Sequence, residues 1–282
     1  MKILVTGGAG FIGSHLVDRL LREDHSVTVV DNFATGNAGN VDMDAKIVKC
    51  DIRDRDEFKK VAEGCDAIFH LAAQTDVRLS VENPDMDYQI NFIGTKNVVE
   101  AAEANGAQII FTSSCAVYGN CDRPATEDQD PKPLSQYAWN KLQAESILPK
   151  SAFIARLFNV YGQNGNSLVN KACDTALRNK ELVVFGTGMQ TRDYVHVNDV
   201  VSALMMGLER KGMFNVGNGK ETSILSVIHL AELATGNKVK TKFASHIEGE
   251  IERSVADIIK IESEGWNPSV SITDGIKKLC GN

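Results

Sequence analysis

Short apolar runs alternate with helical stretches along the first half of the chain. Apolar residues dominate segments 2–5, 27–30, 67–71 and 108–112, each of which has the length of a buried strand, and Ile47 and Val48 mark a further short strand over 46–49. Between them, apolar positions recur three and four residues apart, which is typical of helices that bury one face. Strands that alternate with helices predict an α/β fold with a doubly wound parallel sheet, the Rossmann architecture.

The pattern becomes less regular in the second half of the chain. We therefore predict a Rossmann domain over 1–158 and a smaller lobe over 159–282, interleaved with the last Rossmann elements. A helical period predicts a core helix over 223–235. Its inward side chains are expected to be Ile224, Val227, Ile228, Leu230 and Leu233.

The first strand leads into a glycine turn and then a helix. Glycines occupy positions 7, 10 and 13, after which Leu16, Val17, Leu20 and Leu21 recur at helical spacing. Glycines at this spacing let the backbone turn tightly and approach a pyrophosphate, whose charge faces the helix N-terminus. The segment predicts a dinucleotide site, with cofactor contacts at Gly7, Gly10, Phe11, Ile12 and Gly13.

An acidic residue follows the second predicted strand. Asp31 lies 18 residues past the last of these glycines, with Asn32 beside it. A carboxylate at this place accepts hydrogen bonds from the adenosine ribose hydroxyls and repels a 2′-phosphate. The sequence therefore favours NAD over NADP as the cofactor.

A tyrosine and a lysine four residues apart form the candidate catalytic pair. Tyr137 and Lys141 lie on one face of a helix, one turn apart. A free phenol titrates near pH ~10, so a tyrosine that works as a base at pH 7 needs about 4 kcal/mol of preferential phenolate stabilisation. The lysine ammonium and the positive nicotinamide ring of NAD are the expected sources of that stabilisation.

Composition excludes several other classes of protein. The 282 residues are 43% hydrophobic, with a net charge of −7 and a pI near 5.4, and no block of lysine and arginine occurs. We expect no nucleic-acid or membrane partner. No leader or membrane span is evident, so a cytoplasmic protein is expected. The six cysteines lack C-x-x-C spacing, which predicts no metal site.

These motifs resemble the extended short-chain dehydrogenase/reductase family, in particular its nucleotide-sugar epimerases and dehydratases. The resemblance rests on G-x-x-G-x-x-G and Y-x-x-x-K, and continues in H-x-A-A at 70–73, N-x-x-G-T at 91–95, N-x-Y-G at 159–162 and G-W-x-P at 265–268. It implies further NAD contacts beyond the glycine turn and Asp31. These are Asn32, Asp51, Ile52, Leu71, Ala72, Ala73, Gln74, Asn91, Tyr137, Lys141 and Phe158.

The resemblance also implies a nucleotide-sugar site. Its expected contacts are Ser114, Asn159, Ser167, Leu168, Phe185, Arg192, Arg253 and Ser254. One departure concerns the diphosphate, because Ile247 stands where relatives carry a second arginine. His246 or Arg253 is the candidate replacement.

Two positions after Ser114 separate the chemistries of this family. Ser114 resembles the serine that holds the sugar oxygen beside the tyrosine. Dehydratases of the family carry an Asp-Glu pair at the next two positions and decarboxylases a glutamate at the second, where this chain has Cys115 and Ala116. Neither residue exchanges a proton with a carbon atom, so elimination is disfavoured.

The resemblance therefore implies 4-epimerisation of a UDP-hexose, with UDP-glucose and UDP-galactose as the default pair and the N-acetyl forms admitted by the small Ser254. Two alternatives stay open. One is an epimerase of a UDP-hexuronic acid or another nucleotide sugar, and the other is an NAD(H)-binding sensor or scaffold without turnover. A homodimer is the expected assembly, although Pro149 ends the helix of Lys141 earlier than in relatives.

Overall fold

The structure is a computed structural model that describes residues 1–245 and 251–281. His246, Ile247 and the Gly249-Glu250 pair lie outside the described residues. The chain forms two compact units. The first contains Met1–Val117, Pro133–Arg156 and Val201–Phe214, and the second contains Tyr118–Lys132, Leu157–Val200 and Asn215–Asn282.

This division differs in detail from a boundary at residue 158. The segment Tyr118–Lys132 belongs to the second unit although it precedes the boundary, and Val201–Phe214 belongs to the first unit although it follows. The chain therefore crosses between the units several times.

The strands and helices follow the alternation seen in the sequence. The strands are β1 Lys2–Thr6, β2 Ser26–Asp31, β3 Lys46–Lys49, β4 Ala67–His70, β5 Gln108–Ser114, β6 Phe153–Leu157, β7 Asn159–Tyr161, β8 Glu181–Phe185, β9 Thr191–His196, β10 Gly212–Val216, β11 Glu221–Ser223, β12 Lys240–Ala244 and β13 Arg253–Ser254. The helices are α1 Phe11–Arg22, α2 Arg55–Val61, α3 Val77–Glu82, α4 Pro84–Tyr88, α5 Thr95–Asn105, α6 Gln136–Ser146, α7 Leu168–Arg178, α8 Val197–Met205, α9 Ile224–Thr235, α10 Ile259–Ser263 and α11 Ile272–Leu279.

A seven-stranded sheet has the order β10-β6-β5-β4-β1-β2-β3. The pairs β1–β2, β1–β4, β2–β3 and β4–β5 are parallel, and Val5 lies between Val29 and Phe69. The strand order reverses between β1 and β4, which is the topological switch point at which such sheets bind ligands. The predicted α/β Rossmann fold is confirmed.

Burial explains why the strands of this sheet read as apolar runs. Leu4, Ile68 and Phe111 are almost fully buried, and Phe58 of α2 and Val98 of α5 pack in the same cluster. Strands that are covered by helices bury both faces, so their sequences lose the alternation of polar and apolar residues.

Helical segments of different winding follow one another over residues 84–105. The structure has α4, then a wider π-helical turn at Gln89–Gly94, and then α5. A π turn inserts one extra residue per turn and is frequently associated with functional sites. Asn91, a predicted NAD contact, lies inside this turn and is buried.

The second unit has its own sheets and core. Strand β9 pairs with β11 in antiparallel and with β7 and β13 in parallel, while β8 pairs with β12. Helices α7 and α9 contribute Val169, Ala172, Val227 and Ala231 to its core.

The prediction that Leu233 faces this core is wrong, because its side chain is 67% exposed. The buried stripe of α9 runs through Ile224, Val227, Ile228 and Ala231. Leu233 instead lies seven residues after the exposed Ser226, which is two helical turns away on the same solvent-facing side.

Within 1–245 and 251–281, the structure contains no helix that is both long enough and apolar enough to cross a lipid bilayer.

Candidate active site

The glycine turn between β1 and α1 leaves no room for side chains at two positions. Gly7 has a φ of +69°, and a Cβ there would lie 2.7 Å from the backbone nitrogen of Ala72. A Cβ at Gly13 would lie 2.1 Å from the carbonyl oxygen of Gly7. Gly10 is the N-cap of α1, which begins at Phe11 and carries no acidic residue in its first turn. The turn therefore offers a helix N-terminus for an anion, without a neighbouring carboxylate in that turn.

Asp31 lies at the end of β2 and accepts hydrogen bonds from the loop backbone. Its carboxylate oxygens accept from the Ala9 nitrogen at 3.0 Å and from the Phe33 nitrogen at 2.8 Å. Each oxygen keeps a further lone pair. The residue is 8% exposed, so this acceptor is held in one place at the carboxyl end of the sheet.

Asn32 and Asp51 meet beside this position. The Asn32 Nδ2 donates to Asp51 Oδ2 at 2.9 Å, and Arg53 donates to both oxygens of Asp51. These contacts hold the pKa of Asp51 well below its usual range, with the Arg53 hydrogen bond as the largest cause. Ile52 is buried against Gly94, where a Cβ would lie 2.5 Å from Ile52 Cδ1.

His70 is a structural residue at the end of β4. It is 1% exposed, and its ring nitrogens hydrogen-bond Thr6 Oγ1 at 2.7 Å and Thr95 Oγ1 at 2.9 Å. Burial lowers the pKa of His70 to about 3, so the ring is neutral at pH 7. Thr6 Oγ1 also accepts from the backbone nitrogens of Leu71 and Ala72 at 3.2 Å. The segment Leu71–Ala73 is thereby fixed against the glycine turn.

Gln74 and Asn91 bind each other across two segments. The Gln74 nitrogen donates to Asn91 Oδ1 at 3.0 Å, and Asn91 Nδ2 donates to the Gln74 carbonyl at 2.9 Å. Both side-chain amides also donate to the carboxylate of Asp87. Asp87 is a residue that the sequence analysis missed.

Tyr137 and Ser114 are brought together by α6 and β5. The Ser114 side chain lies close enough to Tyr137 to favour its phenolate. Burial nevertheless raises the pKa of Tyr137 to about 12, and the negative charge of Asp87 adds to this rise. The cost of burying a phenolate thus outweighs the favourable contacts of the side chain, and stabilisation by Lys141 and NAD stays a prediction.

Lys141 lies one turn further along α6 and points toward β5. Its Nζ donates to the carbonyl oxygen of Thr112 at 2.9 Å and lies 4.8 Å from the centre of the Phe111 ring. Burial lowers the pKa of Lys141 to about 8, while the carboxylates of Asp87 and Glu145 oppose that shift. An ammonium group has three N–H donors, and Thr112 is its one hydrogen-bond partner among the described residues.

Glu145 continues the column of Tyr137 and Lys141 by one more helical turn, and the sequence analysis missed it. It forms a buried ion pair with Arg156 of β6, with Nε–Oε1 at 2.9 Å and Nη2–Oε2 at 2.6 Å. Ser113 Oγ donates to the same carboxylate. Glu145 lies four residues after Lys141, as Lys141 lies four residues after Tyr137. The same helical spacing could therefore have predicted Glu145 from the sequence.

Cys115 and Ala116 follow Ser114 in a short 3-10 turn and are half-buried. The Ala116 nitrogen donates to Ser114 Oγ at 3.2 Å. The two positions where dehydratases and decarboxylases of the resembled family carry carboxylates hold a thiol and a methyl group in this chain.

Strand register in the second unit separates the candidate substrate residues. Ser254 pairs with Arg192, and Arg253 pairs with Thr191. Directly paired residues point to the same face of a sheet, and neighbours along a strand point to opposite faces. Arg192 and Ser254 therefore share one face, and Arg253 lies on the other, where it forms an ion pair with Glu221.

The other candidates of the second unit have defined structural contacts. Asn159 Nδ2 donates to the Asp193 carbonyl at 3.2 Å, and Ser167 caps α7 by accepting from the Asn170 nitrogen at 3.3 Å. Leu168 begins that helix and packs at the edge of its core. Phe185 ends β8, and the buried Phe158 stacks on Tyr118 at 6.4 Å. Their predicted ligand contacts stay predictions.

The first unit fits a dinucleotide on three observations. The glycine turn excludes any Cβ at Gly7 and Gly13, Asp31 holds a carboxylate with free lone pairs at the end of β2, and the buried Lys141 ammonium keeps two donors. Together they supply a phosphate cradle, an acceptor for ribose hydroxyls and a donor pair for a second diol.

Comparison with known proteins identifies the class. Residues 3–217 match the model of the NAD dependent epimerase/dehydratase family, and the chain belongs to that family. Its cofactor is NAD, and the resemblance seen in the sequence is confirmed.

Individual relatives are similar over nearly the whole chain. UDP-glucose 4-epimerase of Mycolicibacterium smegmatis is 36% identical, covering 99% of this chain and 97% of the relative. The solved structure of UDP-glucose 4-epimerase of Thermotoga maritima with UDP-glucose is 33% identical, with a TM-score of 0.95 over 100% of this chain and 98% of that one. UDP-glucuronic acid decarboxylase 1 of Xenopus tropicalis is 32% identical over 98% of this chain and 70% of its own. Overall similarity therefore reaches enzymes of two different reactions.

Proposed function

We propose that the protein catalyses the NAD-dependent 4-epimerisation of a UDP-hexose, with UDP-glucose and UDP-galactose as the principal pair. The observation that carries this proposal is the placement of Ser114 beside Tyr137, one helical turn from Lys141, combined with Cys115 and Ala116 at the two positions that follow Ser114. The site has hydroxyl groups for an alcohol and no carboxylate at the positions that elimination or decarboxylation uses in the resembled family.

In the proposed reaction, Tyr137 takes the proton of the sugar C4 hydroxyl, and Ser114 holds the same oxygen. Bound NAD would supply reversible hydride transfer at the sugar C4 atom and a positive charge beside Tyr137. Tyr137 returns its proton as the new C4 hydroxyl forms. Proton and hydride are thus both restored, and the product has the mass of the substrate.

The electrostatics make the base dependent on the cofactor. With a pKa of about 12, forming the phenolate of Tyr137 at pH 7 requires roughly 7 kcal/mol. The protein alone does not supply this. We therefore propose that Tyr137 is a competent base only in the NAD-loaded protein, and that Lys141 contributes by holding the ribose with its two remaining donors.

Substrate contacts are the less direct part of the proposal. Arg192 and Ser254 share a sheet face, which supports their joint assignment to the diphosphate and to the region of the sugar C2 substituent. An arginine fork matches phosphate oxygens in charge and geometry. Arg253 is committed to Glu221, which weakens its candidacy as the replacement for an arginine at Ile247.

A homodimer is a further part of the proposal. Its support is apolar exposure around α6, where Trp139 is 52% exposed and Leu134 is 51% exposed. Sedimentation equilibrium of the purified protein would decide it, and a single species of monomer mass would contradict it.

The deciding experiment incubates purified protein separately with UDP-glucose, UDP-galactose, their N-acetyl forms and UDP-glucuronate, and identifies the products by NMR and mass spectrometry. We expect a C4 epimer of unchanged mass. A product lighter by water or carbon dioxide would contradict epimerisation, and a preference for UDP-glucuronate would move the assignment to a hexuronic acid. No conversion of any substrate would favour an NAD(H)-binding sensor or scaffold.

A further inference from the structure

Asp87 is a fully buried carboxylate that the proposed reaction does not use. It lies on the short helix α4 and is 0% exposed. None of the ion pairs of the described residues includes it, and its oxygens are bound by neutral amides. A buried charge without a counterion is costly unless hydrogen bonds compensate for it.

Three amide groups from three separate segments donate to Asp87. Asn140 Nδ2 of α6 donates to Oδ1 at 2.7 Å. Gln74 Nε2, from the loop after β4, donates to Oδ2 at 2.8 Å, and Asn91 Nδ2 of the π turn donates to the same oxygen at 3.0 Å. The carboxylate therefore holds together a loop, a turn and a helix.

Those segments are the ones that carry the candidate site. Gln74 and Asn91 are predicted NAD contacts, and Asn140 lies between Tyr137 and Lys141 in the sequence of α6. Asn140 is itself 0% exposed, and its Oδ1 accepts from Gln136 Nε2 at 3.0 Å. The helix is also attached nearby, because the Tyr137 nitrogen donates to Ser80 Oγ of α3 at 3.2 Å.

We propose that Asp87 is a positioning residue, whose buried carboxylate fixes the catalytic helix α6 through Asn140 relative to the cofactor-side residues Gln74 and Asn91. This inference rests on the proposed function in so far as it assigns the catalytic pair to Tyr137 and Lys141. It adds a residue outside the Ser-Tyr-Lys set.

The charge of Asp87 has a second consequence for the same pair. A negative charge favours protonated Lys141 and disfavours the phenolate of Tyr137, so it raises the pKa of both groups. Removing the charge should lower both pKa values. The acid limb of the kcat–pH profile requires deprotonated Tyr137, and the alkaline limb requires protonated Lys141. Both limbs should then move to lower pH.

Other ionisable groups near the pair are few. Glu145 is paired with Arg156 and also raises the pKa of Lys141, His70 is neutral at pH 7, and Cys115 lies beside Tyr137. Other charged or titratable side chains of the elements packed on α6 point elsewhere: Arg78, Glu82, Asp85 and Lys96 are exposed, and Tyr88 stacks on Phe92 at 5.2 Å. Asp87 is thus the charge whose removal the profile would report.

The test compares Asp87→Asn with Asp85→Asn, which removes an exposed carboxylate of the same short helix. In the NAD-loaded protein we expect both limbs of the kcat–pH profile of Asp87→Asn to shift by about one pH unit to lower pH. Asp85→Asn should superimpose on wild type. Limbs that stay at their wild-type pH, whatever happens to kcat, would overturn the proposal, because a merely structural role lowers activity without moving them.

A second variant covers the case in which Asp87→Asn does not fold. Asn140→Ala removes the donor that couples Asp87 to α6 and leaves the charge in place. We expect kcat to fall at least about tenfold, which corresponds to 1.4 kcal/mol, with both limbs unmoved. A kcat within a factor of about two of wild type would refute the coupling.

A third measurement separates failure of this inference from failure of the proposed function. If the wild-type protein converts no UDP-sugar, the reaction assignment fails by itself. The network is then tested by NAD released from denatured protein after gel filtration, where Asp87→Asn should retain at least about twofold less NAD than Asp85→Asn. Equal retention would overturn the positioning role.

Discussion

The Nζ atom of Lys141 donates a 2.9 Å hydrogen bond to the carbonyl oxygen of Thr112. Lys141 is buried, with 3% of its surface exposed. The ammonium therefore lies at the carboxyl end of β5, the strand that also carries Ser114. A lysine in this position is a charge that the fold keeps buried at an energetic cost, and the cost can be measured.

Lys141→Met should change how stability depends on pH. Burial lowers the pKa of Lys141 from 10.5 to about 8, so between these values the unfolded chain binds more protons and the free energy of unfolding of wild type rises with pH. The lysine thus lowers the stability of the cofactor-free protein below pH 8, by roughly 3 kcal/mol. The variant should lack this rise in urea unfolding between pH 8 and 10.5. Lys96→Met, at an exposed position, should show the same pH dependence of stability as wild type. If the stability of Lys141→Met also rises with pH as that of wild type does, the buried ammonium of Lys141 is not the cause of the rise.

Tyr137→Phe should abolish turnover and leave NAD binding intact, because the change removes one oxygen from a buried ring. We expect kcat to fall by well over tenfold, which corresponds to an activation free energy higher by more than about 1.4 kcal/mol. Steady-state kinetics with UDP-glucose and the NAD content of the purified variant provide the measurement. Retention of more than about a tenth of the wild-type kcat would rule out Tyr137 as the base.

Glu145→Gln should destabilise the protein strongly, since it leaves the Arg156 guanidinium buried without its counterion. Both side chains are 4% exposed, and loss of one partner of such a pair typically costs about 3–5 kcal/mol. Glu100→Gln is the matched control, because Arg55–Glu100 is an exposed pair, worth at most about 1 kcal/mol. Equal unfolding free energies for the two variants in urea would show that the buried pair contributes no more to stability than the exposed pair.

Gly7→Ala and Gly64→Ala differ in their surroundings while sharing nearly the same backbone conformation. Their φ values are +69° and +71°, so both variants bear a left-handed strain of about 1–2 kcal/mol. The new methyl of Gly7→Ala also meets the Ala72 backbone at 2.7 Å, whereas no heavy atom lies within 4 Å at Gly64. NAD retention should be lost in the first variant and kept in the second. If Gly7→Ala retains NAD as Gly64→Ala does, the glycine turn is not the phosphate cradle.

Ser254→Tyr should remove activity on N-acetylated UDP-sugars selectively. Ser254 is 4% exposed and shares a sheet face with Arg192. On the proposed placement of the sugar C2 substituent beside Ser254, a tyrosine ring would fill space that an acetamido group needs. Overpacking of this kind costs about 1–3 kcal/mol, or one to two decades in kcat/KM. Ser254→Ala should keep both activities. An equal loss on UDP-glucose and UDP-N-acetylglucosamine, or no loss on either, would exclude residue 254 as the gate.

The sequence by itself determined the class of fold, the dinucleotide turn and the pairing of Tyr137 with Lys141. These features depend on local rules: apolar runs of strand length, glycines at fixed spacing after a strand, and the four-residue period of a helix. Each can be read from neighbouring positions, which is why β1, β2 and α6 lie where the pattern places them.

Tertiary structure alone decided which polar groups the site depends on. Asp87 became prominent because Gln74, Asn91 and Asn140 converge on it from distant positions, a convergence that no local period reports. The raised pKa of Tyr137 likewise follows from burial, which depends on every element packed around α6.

The register of β13 on β9 placed Ser254 beside Arg192 and put Arg253 on the opposite face. A shift of one residue would exchange those faces, and the alternation of a two-residue strand is too short for the sequence to choose between them. In the structure, pairing with β9 makes that choice: the Thr191 nitrogen donates to the Glu252 carbonyl at 3.0 Å, and Ser254 pairs with Arg192.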